Sequence, residues 1–108
     1  MENHLDPAEM KVLGDEILVV SNTAVGLASV PSGADYAEIY PSDADPFRCR
    51  WDATDPDASN GVLLDEATTG HIEMVALFGG TAIAKFKAIR SGLNDSQLYA
   101  VYYQTMSY

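Results

Sequence analysis

Between Arg48 and Glu66 the chain reads RCRWDATDPDASNGVLLDE. Asp52, Asp55 and Asp57 fall close together and are followed by Ser59, Asn60 and Glu66. Closely spaced oxygen donors are what a hard divalent cation such as calcium takes. Counted from Asp55, the donors Asp55, Asp57 and Ser59 occupy the first, third and fifth positions of a twelve-residue calcium loop, and Glu66 the twelfth. The match has three faults. Asn60 stands where the sharp turn wants glycine, and Pro56 follows the first ligand. The flanking stretches FRCRW and EATTGHIEM have the pattern of strands and a turn, not of two helices. The competing reading is a strand–loop–strand corner. There Asp55-Pro56 starts a turn, Asp57 and Ser59 cap backbone N–H groups, and Asn60-Gly61 supplies a positive φ. The corner is the preferred reading, and a calcium set of Asp55, Asp57, Ser59 and Glu66 is the lesser one.

Other chemistry has less to work with. Nucleophilic catalysis needs a nucleophile beside a base. The two histidines are His4, in a segment that reads as an arm, and His71, at the start of a strand-like run. Cys49 alternates with Phe47 and Trp51, which reads as a small apolar core residue rather than a reactive thiol. No G-x-S-x-G elbow occurs, and two histidines with one cysteine make a poor zinc set. Paired carboxylates such as Asp52 and Asp55 could serve a glycosidase, but acids in a turn are commonly caps. Gly79-Gly80 reads as a hairpin turn, with no helix after it to make a phosphate cradle. No enzymatic activity and no cofactor is expected.

The elements that would hold these residues are strands. FRCRWD sends Phe47, Cys49 and Trp51 one way and Arg48, Arg50 and Asp52 the other. ADYAEIY alternates over 34–40. HIEMVAL places Ile72, Met74 and Ala76 opposite a side that includes Glu73, and AKFKAIR places Ala84, Phe86 and Ala88 opposite Lys85 and Lys87. QLYAVYY places Leu98, Ala100 and Tyr102 opposite Tyr99, Val101 and Tyr103. Period-2 alternation is the strand signature. Turn residues punctuate the runs at Pro31-Ser32-Gly33, Pro41-Ser42-Asp43, Asn60-Gly61, Gly79-Gly80 and Ser91-Gly92, a rhythm that fits an all-β sandwich or small barrel. No stretch carries a convincing helical period. The fold class read from this is a single antiparallel β-sandwich, jelly-roll-like or immunoglobulin-like. It spans 11–108 behind a short N-terminal arm, 1–10, where Asp6, Pro7 and Glu9 could start one helical turn.

The 108 residues suit one domain. Sixteen acidic residues against six basic ones give a net charge of −10. That weighs against nucleic acid and anionic membranes as partners and favours a partner with basic surface. One cysteine rules out an intramolecular disulfide. No run is apolar for long enough to span a bilayer as a helix, and folding in a cytoplasm is expected. Six tyrosines are many for this length. In the tail YAVYYQTMSY both faces of the alternation are apolar or aromatic. If one fills the core, the other is left outside, where such patches mark contacts. Tyr99, Val101 and Tyr103 are therefore candidate oligomer or partner residues, and 1–10 a candidate anchor.

Three segments together resemble a known family. VSNTAVGLASVPSGADYAEIY, FRCRWDATDPDASNGVLL and FKAIRSGLNDSQLYAVYY are similar to segments of small tailed-phage virion structural proteins of about this length. The likeness covers approximately residues 16–104, and its motifs are turns and core positions rather than catalytic groups. It implies a β-sandwich virion protein of the capsid decoration or head-associated type. The chain departs from the pattern in its added first ten residues and in the cysteine of FRCRW. The functional expectation is a capsid decoration (cement) protein on the surface of the virion, assembled in the host cytoplasm. It would be a homo-oligomer, a trimer by preference, touching the major capsid protein or other virion proteins. Two alternatives stand beside it: a tail, neck or head-fibre adaptor, and a glycan-binding β-sandwich module.

Overall fold

The computed structural model describes residues 10–43, 45–57, 59–65 and 73–105. The expected helical turn at Asp6–Glu9, His4, Glu66, His71 and Ile72 lie outside them.

Among the described residues, eight strands form two antiparallel four-stranded sheets. The first sheet orders β1 (Met10–Val20), β8 (Ser96–Thr105), β3 (Tyr36–Pro41) and β6 (Val75–Phe78). The second orders β2 (Val25–Gly26), β7 (Lys87–Arg90), β4 (Phe47–Arg50) and β5 (Val62–Leu64). The pairings β1–β8, β2–β7, β3–β6 and β4–β5 make the chain one long hairpin, doubled back at the 51–61 loop and wound so that successive pairs alternate between sheets. Pairings β3–β8 and β4–β7 close each sheet. This is the jelly-roll arrangement of eight strands in two sheets. An immunoglobulin order would put β1 beside β2, and here they lie in opposite sheets.

Alternation places the core. From the first sheet Val20, Ala37, Ile39, Val75, Leu77, Leu98, Ala100 and Tyr102 point inward, and from the second Phe47, Cys49, Leu64 and Ala88, with Phe86 just ahead of β7. Cys49 is fully buried, and burial pushes its thiol up to about 12, so it is an inert core residue. Trp51 packs against this cluster from its edge. Ser96, the one buried polar residue among those described, donates its hydroxyl to the Pro46 carbonyl at 2.7 Å. Tyr102 is buried too, and its phenol donates to the Glu16 carboxylate. The other Glu16 contacts are the amides of Ala28 (3.3 Å) and Ser29 (2.9 Å), so one side chain closes the rim between β1 and the β2–β3 connection.

One expectation needs correction. Gly79-Gly80 is not a hairpin turn. Gly79 leaves β6 with φ 95°, and Gly80–Lys85 form a short helix, α1, before β7. Six residues are fewer than two helical turns and bury only Ile83, so no 3.6-residue period could show. Ala84 and Lys85 accordingly belong to the helix rather than to a strand. In HIEMVAL, where the alternation left the inner side open, it is the side opposite Met74 and Ala76 that faces the core. Val75 and Leu77 are buried, and Met74 is exposed.

Phe47→Ala is expected to lower the free energy of unfolding by about 3–5 kcal/mol, as for other buried aromatics. Val30→Ala, in an exposed connection, should change it by no more than about 0.5 kcal/mol. Urea denaturation of the two variants measures both, and equal losses would contradict this core assignment.

Candidate functional site

The aspartate loop is folded onto the second sheet. Arg50 donates from Nε to Asp52 Oδ1 at 3.0 Å, pairs a second time with Asp52 Oδ2, and donates to Asn60 Oδ1 at 2.6 Å. Asp55 pairs with Lys87 at 3.2 Å. Asp57 Oδ1 accepts from the Ser59 amide at 2.9 Å, while Asp57 and Asn60 exchange backbone hydrogen bonds at 3.0 and 3.2 Å. Gly61 returns the chain to β5 at φ 129°, so close to β4 that a Cβ would lie 3.0 Å from the Cys49 carbonyl oxygen. The Arg50 guanidinium holds the Asp52 carboxyl down at about 2. The carboxylates of the calcium reading are thus turned to separate partners, Asp55 to Lys87 and Asp57 to its own turn. Among the described residues no three metal-ligating side chains converge. A shallow groove beside Trp51 is walled by Arg50, Asp52 and Asn60, whose polar groups are spent on one another.

The outer face of the first sheet is built differently. Where Leu98, Ala100 and Tyr102 point in, Tyr99, Val101 and Tyr103 point out. Register sets Tyr36, Glu38 and Tyr40 of β3 opposite Tyr103, Val101 and Tyr99. It also sets Phe78 beside Tyr36, and Val12, Asp15 and Ile17 of β1 along the far side of β8. The structure therefore brings the three sequence-predicted contact residues onto one surface. Large apolar side chains lie open around them: Phe78 is 77% exposed, Val12 and Ile17 61% each, and Val19 55%.

At the centre stands Glu38. Its Oε1 accepts from the hydroxyls of Tyr40 (2.8 Å) and Tyr103 (3.1 Å), and its Oε2 from Tyr36 (2.9 Å). Tyr99 donates to Asp15 at 2.7 Å. The rings are packed as well, Tyr36 lying 5.0 Å from Phe78 and 5.4 Å from Tyr103 between centroids. Desolvation, then the Glu38 hydrogen bond and charge, push the phenols of Tyr36 and Tyr40 up to about 12, and Tyr103 upward by the same causes. The hydrogen bond to Asp15 raises Tyr99. Where this face meets the sheet end, a cleft of about 340 Å³ opens between Met10, Tyr36, Phe78 and Thr105. Its floor is fixed by Asp35, which accepts from the Thr105 amide (2.9 Å) and hydroxyl (2.8 Å) and is held below the usual carboxylate range by them.

Sequence reasoning missed Glu38 and Phe78. A glutamate in an alternating strand reads as a solvated residue. The available signal was tyrosine at i−2 and i+2, which a strand must place on the same face.

No family model matches the chain, and neither a curated protein nor a solved structure does. The fold itself defines an acidic eight-stranded jelly roll with an aromatic outer face.

The phenols are neutral in the folded state and resist ionisation there. Their contribution to stability is fully present below the ordinary value of 10 and is lost as pH rises toward about 12. Phenolate absorbance should accordingly show delayed ionisation of the β3 and β8 tyrosines. Glu38→Gln should bring part of that titration back toward 10, and an unchanged curve in the variant would contradict the network.

Proposed function

We propose that the chain is a structural protein of a bacteriophage virion, a capsid decoration protein that stabilises the head by contacts between subunits. The observation that carries this reading is the open aromatic and aliphatic face of the first sheet. Phe78, Val12 and Ile17 stand mostly in solvent beside packed tyrosines. A monomer gains nothing from such a surface, and contiguous patches of this kind mark contact sites.

Three further features support it. Jelly rolls recur among viral capsid domains, an analogy at the level of fold. The segments that resemble small phage virion proteins fall on β2 through β3, on β4, the 51–61 loop and β5, and on β7 and β8. The charge of −10 disfavours unproductive binding to the packaged genome during assembly. In this mechanism the sheet face is buried on neighbouring virion subunits, with an interface of ~1,600 Å² typical of a stable contact.

Mass spectrometry of purified particles, with copy number, tests the assignment alongside imaging of particles made without the gene. A count in the hundreds, with density on the shell that disappears in the deletion, is the expected result. A dozen copies or fewer would move the protein to the neck, tail or a head fibre. Absence from the particle would overturn the reading altogether.

A further inference from the structure

The tyrosine face has a chemical polarity that limits what can cover it. An ionised carboxylate can only accept hydrogen bonds, so the three phenols around Glu38 and the phenol on Asp15 must donate their protons inward. What each of those hydroxyls has left for a partner is lone pairs. A carboxylate offers about four acceptor positions. Two hydroxyls lie on Glu38 Oε1 and one on Oε2, which leaves Oε2 room for a further donor. That oxygen is the one on the Tyr36 side, where the Tyr36 and Phe78 rings pack 5.0 Å apart and the cleft opens. The centre of the face is thus rich in acceptors, ringed by apolar side chains, and carries the charges of Glu38 and Asp15. The described outward positions of β1, β8, β3 and β6 hold no lysine or arginine.

A second copy is a poor occupant. A two-fold contact would set the same patch against itself, placing Glu38 and Asp15 of both copies together between chains that each carry −10. A head-to-tail contact would need a basic group of the second copy. Lys11 of β1 and Lys85 of α1 carry ammonium groups, which stack on aromatic rings less well than guanidinium, and the other basic residues stand on the second sheet. There Arg50 is engaged by Asp52 and Asn60, Lys87 by Asp55, and Arg48 by the Gly61 carbonyl.

We infer that the occupant of this face is a different protein, one that presents an arginine flanked by apolar side chains, the guanidinium docking on Glu38 Oε2 over the Tyr36 and Phe78 rings. Guanidinium has five donors and no acceptor, and it stacks on aromatic rings as ammonium does less well. The flanking apolar groups cover Val101 and the exposed aliphatic residues of β1. The inference rests on the proposal that the face is a virion contact and specifies the chemistry of the other side.

The test uses the whole chain and a defined probe, acetyl-Val-Arg-Val-amide, with acetyl-Val-citrulline-Val-amide as its uncharged counterpart of nearly the same shape. In an NMR titration the arginine peptide should shift the amide signals of Tyr36, Glu38 and Phe78. It should bind about threefold or more tighter than the citrulline peptide, in the range of a partly exposed charged pair. Glu38→Gln should remove the preference, and Asp15→Asn should keep most of it. Equal response to the two peptides, or shifts confined to other carboxylates, would overturn the inference, and this comparison on the unaltered protein stands even if a variant folds poorly. The peptide experiment needs no particle. Arginine preference in a protein missing from virions would sink the virion reading alone, whereas incorporation without arginine preference would sink this inference alone.

Discussion

The structure turns on the alternation of β8. This strand lies between β1 and β3 and must satisfy both faces of the first sheet at once. Leu98, Ala100 and Tyr102 are fully buried on its inner side. Their burial fixes the register, because a slip by one residue would exchange the two faces. With the inner side settled, Tyr99, Val101 and Tyr103 have no choice but the outer one. The pairing with β3 then supplies Tyr36, Glu38 and Tyr40 opposite them. The surface is aromatic because the residues between the core positions are aromatic, and it holds its shape because the core does.

Charge is sorted by the same architecture. Arg48, Arg50, Lys87 and Arg90 all sit in β4 and β7 of the second sheet. There the acids of nearby loops meet them, Asp52 on Arg50, Asp55 on Lys87 and Asp95 on Arg90 at 2.7 Å. Exposed pairs of this kind add little stability each. Their effect is to tie the 51–61 loop down and to use up the charge of Arg50, Lys87 and Arg90 locally. On the first sheet Glu38 and Asp15 are satisfied by phenols, which supply hydrogen bonds but no counter-charge. One sheet is internally neutralised, and the other is left with an electrostatic deficit at the centre of an apolar surface.

Much of this was legible in the chain. β4 alternates cleanly between apolar and charged residues, so the inward side of Phe47 and Cys49 follows from period two. In β8 the same period separates Leu98, Ala100 and Tyr102 from Tyr99, Val101 and Tyr103, but both sets are apolar or aromatic and period alone does not choose the inner one. The aspartate loop was legible as a corner because Asp57, Ser59, Asn60 and Gly61 are turn residues at turn spacing. What escaped notice has physical reasons. Helix α1 is too short to show a period, and β2 has two residues. In 71–77 both sides of the alternation are partly apolar, so the inner one could not be chosen locally. The Glu38 cluster needs Tyr103, sixty-five positions away in sequence, and only the β3–β8 register brings it there. The choice between jelly roll and immunoglobulin order was also closed to local pattern, because it lies in which strands pair and not in where they are.

The central claim is that the tyrosine face of the first sheet is covered when the protein is in place on a phage particle. Chemical nitration followed by peptide mass spectrometry, on free protein and on intact particles side by side, measures this at single tyrosines. The expected result is that Tyr36, Tyr40, Tyr99 and Tyr103 are modified in the free protein and strongly protected on the particle, while the buried Tyr102 stays unmodified in both. Equal modification of the four outer tyrosines in the two states would contradict the account.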